Sequence, residues 1–205
     1  MKRKIAFFDI DKTLIYGDSL HSLLRYGCKK WPVYLFLLPL IPFAALLHVT
    51  KLLSREKFKY FFYKPLEKFE EEDYEYFFDK YILSRKIEKS FSQLVSLKEQ
   101  GYYVVLVTAS AYAYMRIWKS RGYADEVIGT QVEEKNGFYS GKIVSKNCAG
   151  KEKVVRIKEL FEKKNIEIDY ENSIGFSDSD KDIPMLNLAS TRVRVLKNGQ
   201  HTKFI

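Results

Sequence analysis

Two aspartates, Asp9 and Asp11, stand one residue apart just after the apolar run Ile5-Ala6-Phe7-Phe8. In an extended chain alternate side chains share a face, so both carboxylates can address one phosphate or one metal ion while Ile10 turns away. An Asp-x-Asp pair alone is common by chance and frequent in Ca²⁺ and Mg²⁺ loops, so its weight depends on what accompanies it. Further along come Thr108, the lysines Lys151 and Lys153, and the pair Asp178 and Asp182, each at the start or end of an expected core element. Singly, the threonine would be a strand-end cap and a lysine a surface charge. As a set they suit phosphoryl transfer. A carboxylate nucleophile splits hydrolysis into two displacements through an aspartyl-phosphate, and a second carboxylate can protonate the leaving oxygen and later activate water. A hydroxyl and an ammonium can hold the equatorial oxygens, while Mg²⁺ offsets the repulsion between carboxylates and phosphate.

The elements that must position these groups follow from pattern. Ile5 to Phe8 is too short for a helix and reads as a buried parallel strand, which delivers Asp9 and Asp11 to the carboxyl end where open α/β sheets place their ligands. Tyr102 to Val107 reads as a second strand running into Thr108, Ser173 to Phe176 as a third running into Ser177-Asp178, and Val193 to Leu196 as a last one. Helices are expected over Ile87 to Gln100, stopped by Gly101, over Ala111 to Arg121, stopped by Gly122, and over Lys151 to Lys164. Val127 to Glu133 and Phe138 to Val144 flank Asn136-Gly137, a hairpin signal. Strands alternating with helices indicate an α/β fold with a mostly parallel sheet. Residues 16–86 lack strand patterns and read as a helical insertion between core segments 1–15 and 87–205. In it, Tyr16-Gly17-Asp18-Ser19 can cap a helix from near Leu20. The aromatics Phe58, Phe61, Phe62 and Tyr74, Phe77, Phe78, Tyr81 read as helix-packing stripes. The acidic run Glu70-Glu71-Glu72-Asp73 reads as a solvated face or a helix N-terminus.

On these residues the chain resembles the haloacid dehalogenase superfamily of phosphatases, in the subclass (subclass I) with a helical cap between its first two motifs. The resemblance covers essentially the whole chain. The first motif, Asp-x-Asp-x-Thr, is Asp9 to Thr13, with Lys12 where Gly or Ser is more usual; the second is Thr108. The third falls in Gly150-Lys151-Glu152-Lys153-Val154, where family spacing favours Lys153 and leaves Lys151 as the alternative; the two cannot face the same way at a helix start. The fourth is Ser177-Asp178-Ser179-Asp180-Lys181-Asp182, with Ser177 where many members have Gly. The resemblance implies a Rossmann-like core, an inserted α-helical cap and Mg²⁺ as cofactor. It implies Asp9 as nucleophile and Mg²⁺ ligand, and Asp11 as general acid/base with its backbone carbonyl on the metal. Thr108 and Lys153 would bind phosphoryl oxygens, Asp178 would ligate Mg²⁺, and Asp182 would support the metal shell.

At 205 residues and 46% hydrophobic the chain can bury a core for one domain with an insertion. A net charge of +9 suits nucleic acid, an anionic membrane or a phosphorylated substrate. A non-catalytic module using that charge is the reading the intact site set argues against, and no nucleic-acid partner is expected. Cys28 and Cys148 are too few for a disulfide framework and fit a reducing cytosol. His21, His48 and His201 are scattered and read as packed or solvent-facing. The basic start Met1-Lys2-Arg3-Lys4 precedes an apolar run too short for a signal peptide.

In such a family the cap selects the substrate, and here Trp31 to Val49 holds no charged residue. As one helix it would span roughly 28 Å, close to a bilayer core of about 30 Å, but a crossing would separate Asp9 from Thr108 and Asp178. Pro39-Leu40-Ile41-Pro42 instead suggests a helical hairpin with Leu37, Leu38, Leu40 and Ile41 at its tip, dipping into one leaflet. Arg25, Lys29, Lys30, Lys51, Arg55, Lys57, Lys59 and Lys64 flank it, with Glu56 as the lone acid, which favours an anionic surface on the cytoplasmic side. With Asp9-Ile10-Asp11, Gly150 to Val154 and Gly175 to Ser179, this segment resembles the phosphatidylglycerophosphatase C type. That implies a lipid phosphate as substrate, in phospholipid synthesis. The competing expectation is a soluble cytoplasmic enzyme of the phosphoserine phosphatase kind, in which Arg25, Arg55 or Arg85 would serve a small zwitterion.

Overall fold

The computed structural model describes residues 2–204. It opens with two short strands, β1 (Lys2–Arg3) and β2 (Ile5–Phe8). Every side chain of β2 is buried, and alternation divides them: Ala6 and Phe8 enter one apolar cluster, Ile5 and Phe7 another on the opposite face. A strand apolar on both faces belongs in the middle of a covered parallel sheet, and β2 lies there.

Next come α1 (Ser19–Lys30), a 3₁₀ segment over Pro32–Leu37, α2 (Leu40–Val49), α3 (Arg55–Tyr63), a 3₁₀ turn over Lys64–Lys68, and α4 (Glu71–Phe77). α5 (Glu88–Glu99) leads into β3 (Tyr103–Ala111), the short α6 (Tyr112–Met115) and α7 (Ile117–Ser120), and β4 (Glu126–Thr130). The hairpin β5 (Val132–Lys135) and β6 (Phe138–Ile143) precedes α8 (Lys151–Lys163) and β7 (Glu167–Ile168). β8 (Ile174–Ser177), α9 (Ile183–Leu186), β9 (Thr191–Val195) and β10 (His201–Lys203) complete the described chain. The main sheet runs β10-β9-β8-β2-β3-β4, parallel except for β9 with β10. Phe8 lies opposite both Leu106 and Phe176. The ends of three adjacent strands therefore reach one level, at the carboxyl edge where α/β sheets take ligands.

The α/β class with a mostly parallel sheet is as expected; several local expectations are corrected. β3 runs on through Thr108 to Ala111, with an irregularity between Val107 and Ala111, so Thr108 sits within a strand. Val127 to Glu133 is two strands: β4 joins the main sheet, and the chain turns at Gln131, whose N–H donates to Ser145 Oγ at 3.1 Å. The helix expected over Ala111 to Arg121 is interrupted at Arg116. The edge strand β10 and the β1–β7 pair are too short or too polar to show a period.

The cap segment carries the larger correction. Pro39 precedes α2 and Pro42 falls in its first turn, where no N–H is owed to the helix. These prolines start a helix instead of bending a hairpin. Of the four residues expected at the exposed tip, Leu37 and Ile41 pack against the core cluster while Leu38 and Leu40 are exposed, as are Phe36, Phe43, Leu46, Val49 and Leu52. No helix among the described residues is long and apolar enough to cross a membrane. The acidic run caps α4, with Glu70 and Asp73 reciprocating, but Asp73 is buried against Tyr26 Oη (2.6 Å) and Lys30.

Residues 16–86 leave and rejoin the core side by side: Tyr16 N–H donates to Arg85 O (2.7 Å) and Ile87 N–H to Leu14 O (2.8 Å). Their helices share one apolar cluster with the sheet, Leu23, Phe62 and Leu66 belonging with Phe8, Leu106 and Tyr114. β6 closes the side: Gly141, at φ 79°, is so near α3 that a Cβ there would lie 2.7 Å from Tyr63 O. Gly141→Ala should therefore destabilise the fold by about 1–3 kcal/mol, read as a lower urea midpoint. An unchanged midpoint would mean that the hairpin is not held against the helix.

Candidate active site

At the carboxyl edge of the sheet one ammonium meets two carboxylates. Lys153, in the first turn of α8 and 2% exposed, donates from Nζ to Asp9 Oδ1 (2.6 Å) and to Asp182 Oδ2 (2.8 Å). Ser177 Oγ also donates to Asp182 Oδ2, at 2.8 Å. Lys151, the alternative, is exposed. Asp182, expected to support a metal shell, lies against Lys153 and Ser177. Asp9 N–H donates to Phe176 O (3.0 Å), fastening the end of β2 to β8. Thr13 Oγ1 lies 3.4 Å from Asp9 Oδ2 and accepts the Asp178 N–H at 3.0 Å, joining the two acidic loops. Between them the chain wraps around the Ile10 carbonyl, which accepts from the N–H groups of Thr13, Leu14 and Ile15. Lys12 takes φ 63° in this turn, a left-handed position that costs a side-chain-bearing residue about 1–2 kcal/mol and explains why glycine suits it.

Burial pushes the Asp9 carboxyl up to about 7 against the pull of Lys153, with Asp182 and Asp11 adding repulsion. Burial works against the Lys153 ammonium, yet its two carboxylates hold it above its usual value.

Asp11 is turned toward the cap. Its Oδ1 accepts Ser19 N–H (2.7 Å), and its Oδ2 accepts Ser110 Oγ (2.6 Å) and Ser19 Oγ (3.1 Å). Ser19 Oγ lies 3.2 Å from Tyr114 Oη. Burial, with Asp18 beside it, raises the Asp11 carboxyl, a bias toward holding a proton. Ser19 and Ser110 were not anticipated as site residues. The signals present were the Asp18-Ser19 cap just after the first strand and the same-face spacing of Ser110 with Thr108. Thr108 itself is buried, and its Oγ1 accepts Ser110 N–H at 3.1 Å.

The donor set suits a hard cation. Asp9 and Asp178 follow adjacent strands, and Mg²⁺ typically takes one or two carboxylates and keeps several waters. Lys153 and Lys12 are set against Asp9, Asp182 and the partly buried Asp178, whose carboxyl burial also raises; a divalent cation would relieve that excess. No group of three or more His, Cys, Asp or Glu side chains gathers as a metal cage among the described residues. Asp9 and Asp178, with the Asp11 carbonyl, are the oxygen donors available to such an ion at the ends of these two strands.

Asp11 and Ser110 also border a cavity of about 390 Å³ walled by Asp18, His21, His48, Arg55, Lys59 and Lys181. His21 and His48, far apart in sequence, meet here, His48 stacking on Phe58 at 5.2 Å. His201 bonds Ser90 Oγ elsewhere. Of the arginines considered for a zwitterion, Arg55 lines the cavity, Arg25 is exposed, and Arg85 Nε donates to Tyr81 O (2.7 Å). A larger groove, about 710 Å³, lies between α3 and β6 and contains none of these site residues.

Residues 6–187 match the family model of haloacid dehalogenase-like hydrolases, and the chain belongs to that family. A Mycobacterium leprae (strain TN) protein described as a hydrolase is 27% identical over 120 residues, a match spanning 58% of this chain and 39% of that relative. Among solved structures, a Bordetella pertussis Tohama I protein of unknown function superposes with a TM-score of 0.76 at 22% identity, covering 95% of this chain and 90% of the other. A phospho-aspartyl intermediate analogue of phosphoserine phosphatase gives 0.58 at 17% identity, with 95% and 87% covered. At these identities the structures show a shared fold.

The two lysines should separate in stability as they do in geometry. Lys153→Met leaves two buried carboxylates facing each other and should cost about 3–5 kcal/mol; Lys151→Ala should stay within about 0.5 kcal/mol. Denaturant titration of both variants checks this, and equal effects would mean that Lys153 does not hold the site together.

Proposed function

We propose that this hydrolase is a Mg²⁺-dependent phosphomonoesterase working through an aspartyl-phosphate on Asp9. Its most fitting substrate is the headgroup phosphate of a phospholipid, phosphatidylglycerophosphate above all, met at the cytoplasmic face of the membrane. In this reading an Asp9 oxygen attacks phosphorus while Asp11, protonated, gives its proton to the leaving alcohol oxygen. Asp11, now a carboxylate, takes a proton from the water that opens the aspartyl-phosphate. Lys153 orients Asp9 and, with Thr108, binds phosphoryl oxygens. A Mg²⁺ ion held by Asp9, Asp178 and the Asp11 carbonyl would supply charge neutralisation for the phosphoryl group.

The observation that carries the lipid part is α2. Phe43, Leu46 and Val49 lie along its outer face and Leu40 at its first residue, from 48% to 79% exposed, and Phe36 and Leu52 are also exposed. Exposed apolar surface of this extent marks a partner or a membrane. His48, on the same helix, borders the cavity that reaches Asp11. Lipid against the outer face would bring its headgroup phosphate to the site. Exposed Lys29, Lys51, Arg55 and Lys57 lie near in sequence, each worth about 1 kcal/mol at an anionic surface.

A second reading, a soluble enzyme acting on a phosphorylated amino acid, is favoured by Asp18 and Arg55 in one cavity, the opposite charges a zwitterion needs, and by the fold shared with phosphoserine phosphatases. It leaves the outer face of α2 without a role.

Asp9→Asn removes the nucleophile with little change of shape, so phosphate release with Mg²⁺ should fall about a thousandfold or more; turnover retained by that variant would end the covalent mechanism. The lipid reading has its own test. Phe43→Lys with Leu46→Lys places two charges on the outer face, each costing up to about 2.5–3.5 kcal/mol in a bilayer. Co-sedimentation with anionic liposomes and hydrolysis of the lipid phosphate should be lost, while p-nitrophenyl phosphate is still cleaved. Undiminished liposome binding would leave only the soluble reading.

A further inference from the structure

Lys59 is buried differently from Lys153. It lies on α3 at 7% exposure, and its Nζ donates to two neutral acceptors, Ala109 O and Asn147 Oδ1, both at 2.7 Å. No carboxylate is within ion-pair distance of it among the described residues. An ammonium has three N–H donors, so one remains for a ligand. A charge withdrawn from water without an anion in contact is costly, and burial, with Arg55 nearby, pulls the Lys59 ammonium down to about 8 against the opposing pull of Asp11 and Asp18. A cross-link between cap and core could be made by a neutral side chain; a charged one, with no carboxylate in contact and the Tyr63 ring 5.8 Å away, can also hold an anion that enters the cavity. Lys59 also lines the cavity that ends at Asp11 and Ser110, and Arg55, one helical turn earlier, lines it too.

We infer that Lys59 is a receptor for a second anionic group of the substrate, so that the enzyme selects phosphomonoesters carrying another negative charge near the scissile phosphate. This rests on the phosphatase reading and narrows it. The second anion lies on the cap side of the cavity, and the scissile phosphate at Asp9. Because Lys59 reaches across to Ala109 and Asn147, an anion bound there also adds a contact between α3 and the end of β3. Two chemistries supply such an anion: the phosphodiester of a lipid headgroup and the carboxylate of a phosphorylated amino acid.

Three esters distinguish them: glycerophosphoglycerol phosphate (a monoester with a phosphodiester, as in a deacylated headgroup), phosphoserine, and p-nitrophenyl phosphate, which has no second anion. In Lys59→Met the kcat/KM ratio of the preferred doubly anionic ester to p-nitrophenyl phosphate should fall about ten- to a hundredfold, mostly through KM. Lys59→Arg should restore most of it. Asn147→Ala, which removes a partner of the lysine but keeps the charge, should hold the wild-type ratio. Equal losses on all three esters, an unchanged ratio in Lys59→Met, no rescue by arginine, or an Asn147→Ala variant that mimics Lys59→Met would each reduce Lys59 to a strut. Calorimetric binding of the same doubly anionic esters to Asp9→Asn, with and without Lys59→Met, reads the receptor apart from turnover. A wild-type enzyme that cleaves none of the esters overturns the phosphatase reading. A tenfold weakening of binding would still support Lys59 as the receptor, and unchanged binding would overturn it.

Discussion

One buried ammonium between two buried carboxylates is the constraint on which the rest of this structure depends. Lys153 comes from the start of α8, Asp9 from the end of β2, and Asp182 from the turn before α9, so the contact ties three separately folded pieces to one point. A buried ion pair contributes little net stability against an apolar substitute, but breaking it strands a charge. That asymmetry fixes the register of β2 against β8, keeps α8 at the carboxyl edge, and explains why Ser177 sits where a hydroxyl can satisfy the remaining Asp182 lone pair. It also leaves the site with more carboxylate than ammonium. A divalent cation beside Asp9 would offset that excess.

Much of this was legible in the sequence because it depends on short-range rules. Four apolar residues ending in Asp9 announce a strand buried on both faces, and period says that Lys151 and Lys153 cannot face the same way at a helix start, though the preference for Lys153 rested on the spacing of the family it resembles. Gly101 and Gly122 end their helices with φ near +79° and +76°. What could not be read were contacts made by tertiary approach. Ser19, Ser110 and Tyr114 gather around Asp11 from three segments, and His21 with His48 meets Arg55 only because α1, α2 and α3 fold together. The division of Val127 to Glu133 depends on which neighbour each half finds, a question local pattern does not address. The prolines of the cap misled for a related reason: proline breaks a helix interior but is neutral in a first turn, and which applies is decided by where the helix begins.

The cap is not a lid with a core of its own. Its inner side chains are continuous with one face of the sheet, and Asp11 is held by the residue that begins α1. The cap and the carboxyl edge of the sheet are therefore mechanically close, and a change in how α1 sits alters the environment of the Asp11 carboxylate. α2 and α3 divide the remaining work: one face of α2 stays apolar and open, while α3 carries Arg55 and Lys59 toward the cavity and Tyr63 and Lys64 toward β6.

The central position of β2 has a consequence for how the molecule is made. Its neighbours on either side, β3 and β8, lie far downstream; the bond from Ile5 N–H to Ser173 Oγ joins residues 168 apart. At about 5–20 residues per second of translation, the apolar Ile5-Ala6-Phe7-Phe8 emerges with no partner and waits roughly ten to thirty seconds for its second edge. During that time it is an unsatisfied strand of the kind that recruits other chains. The helices of residues 16–86, made first and rich in local contacts, are what the nascent chain has available to shelter it. Asp9, Lys153 and Asp182 meet only after residue 182 has been made, so no chain that stops short of it can carry the assembled site.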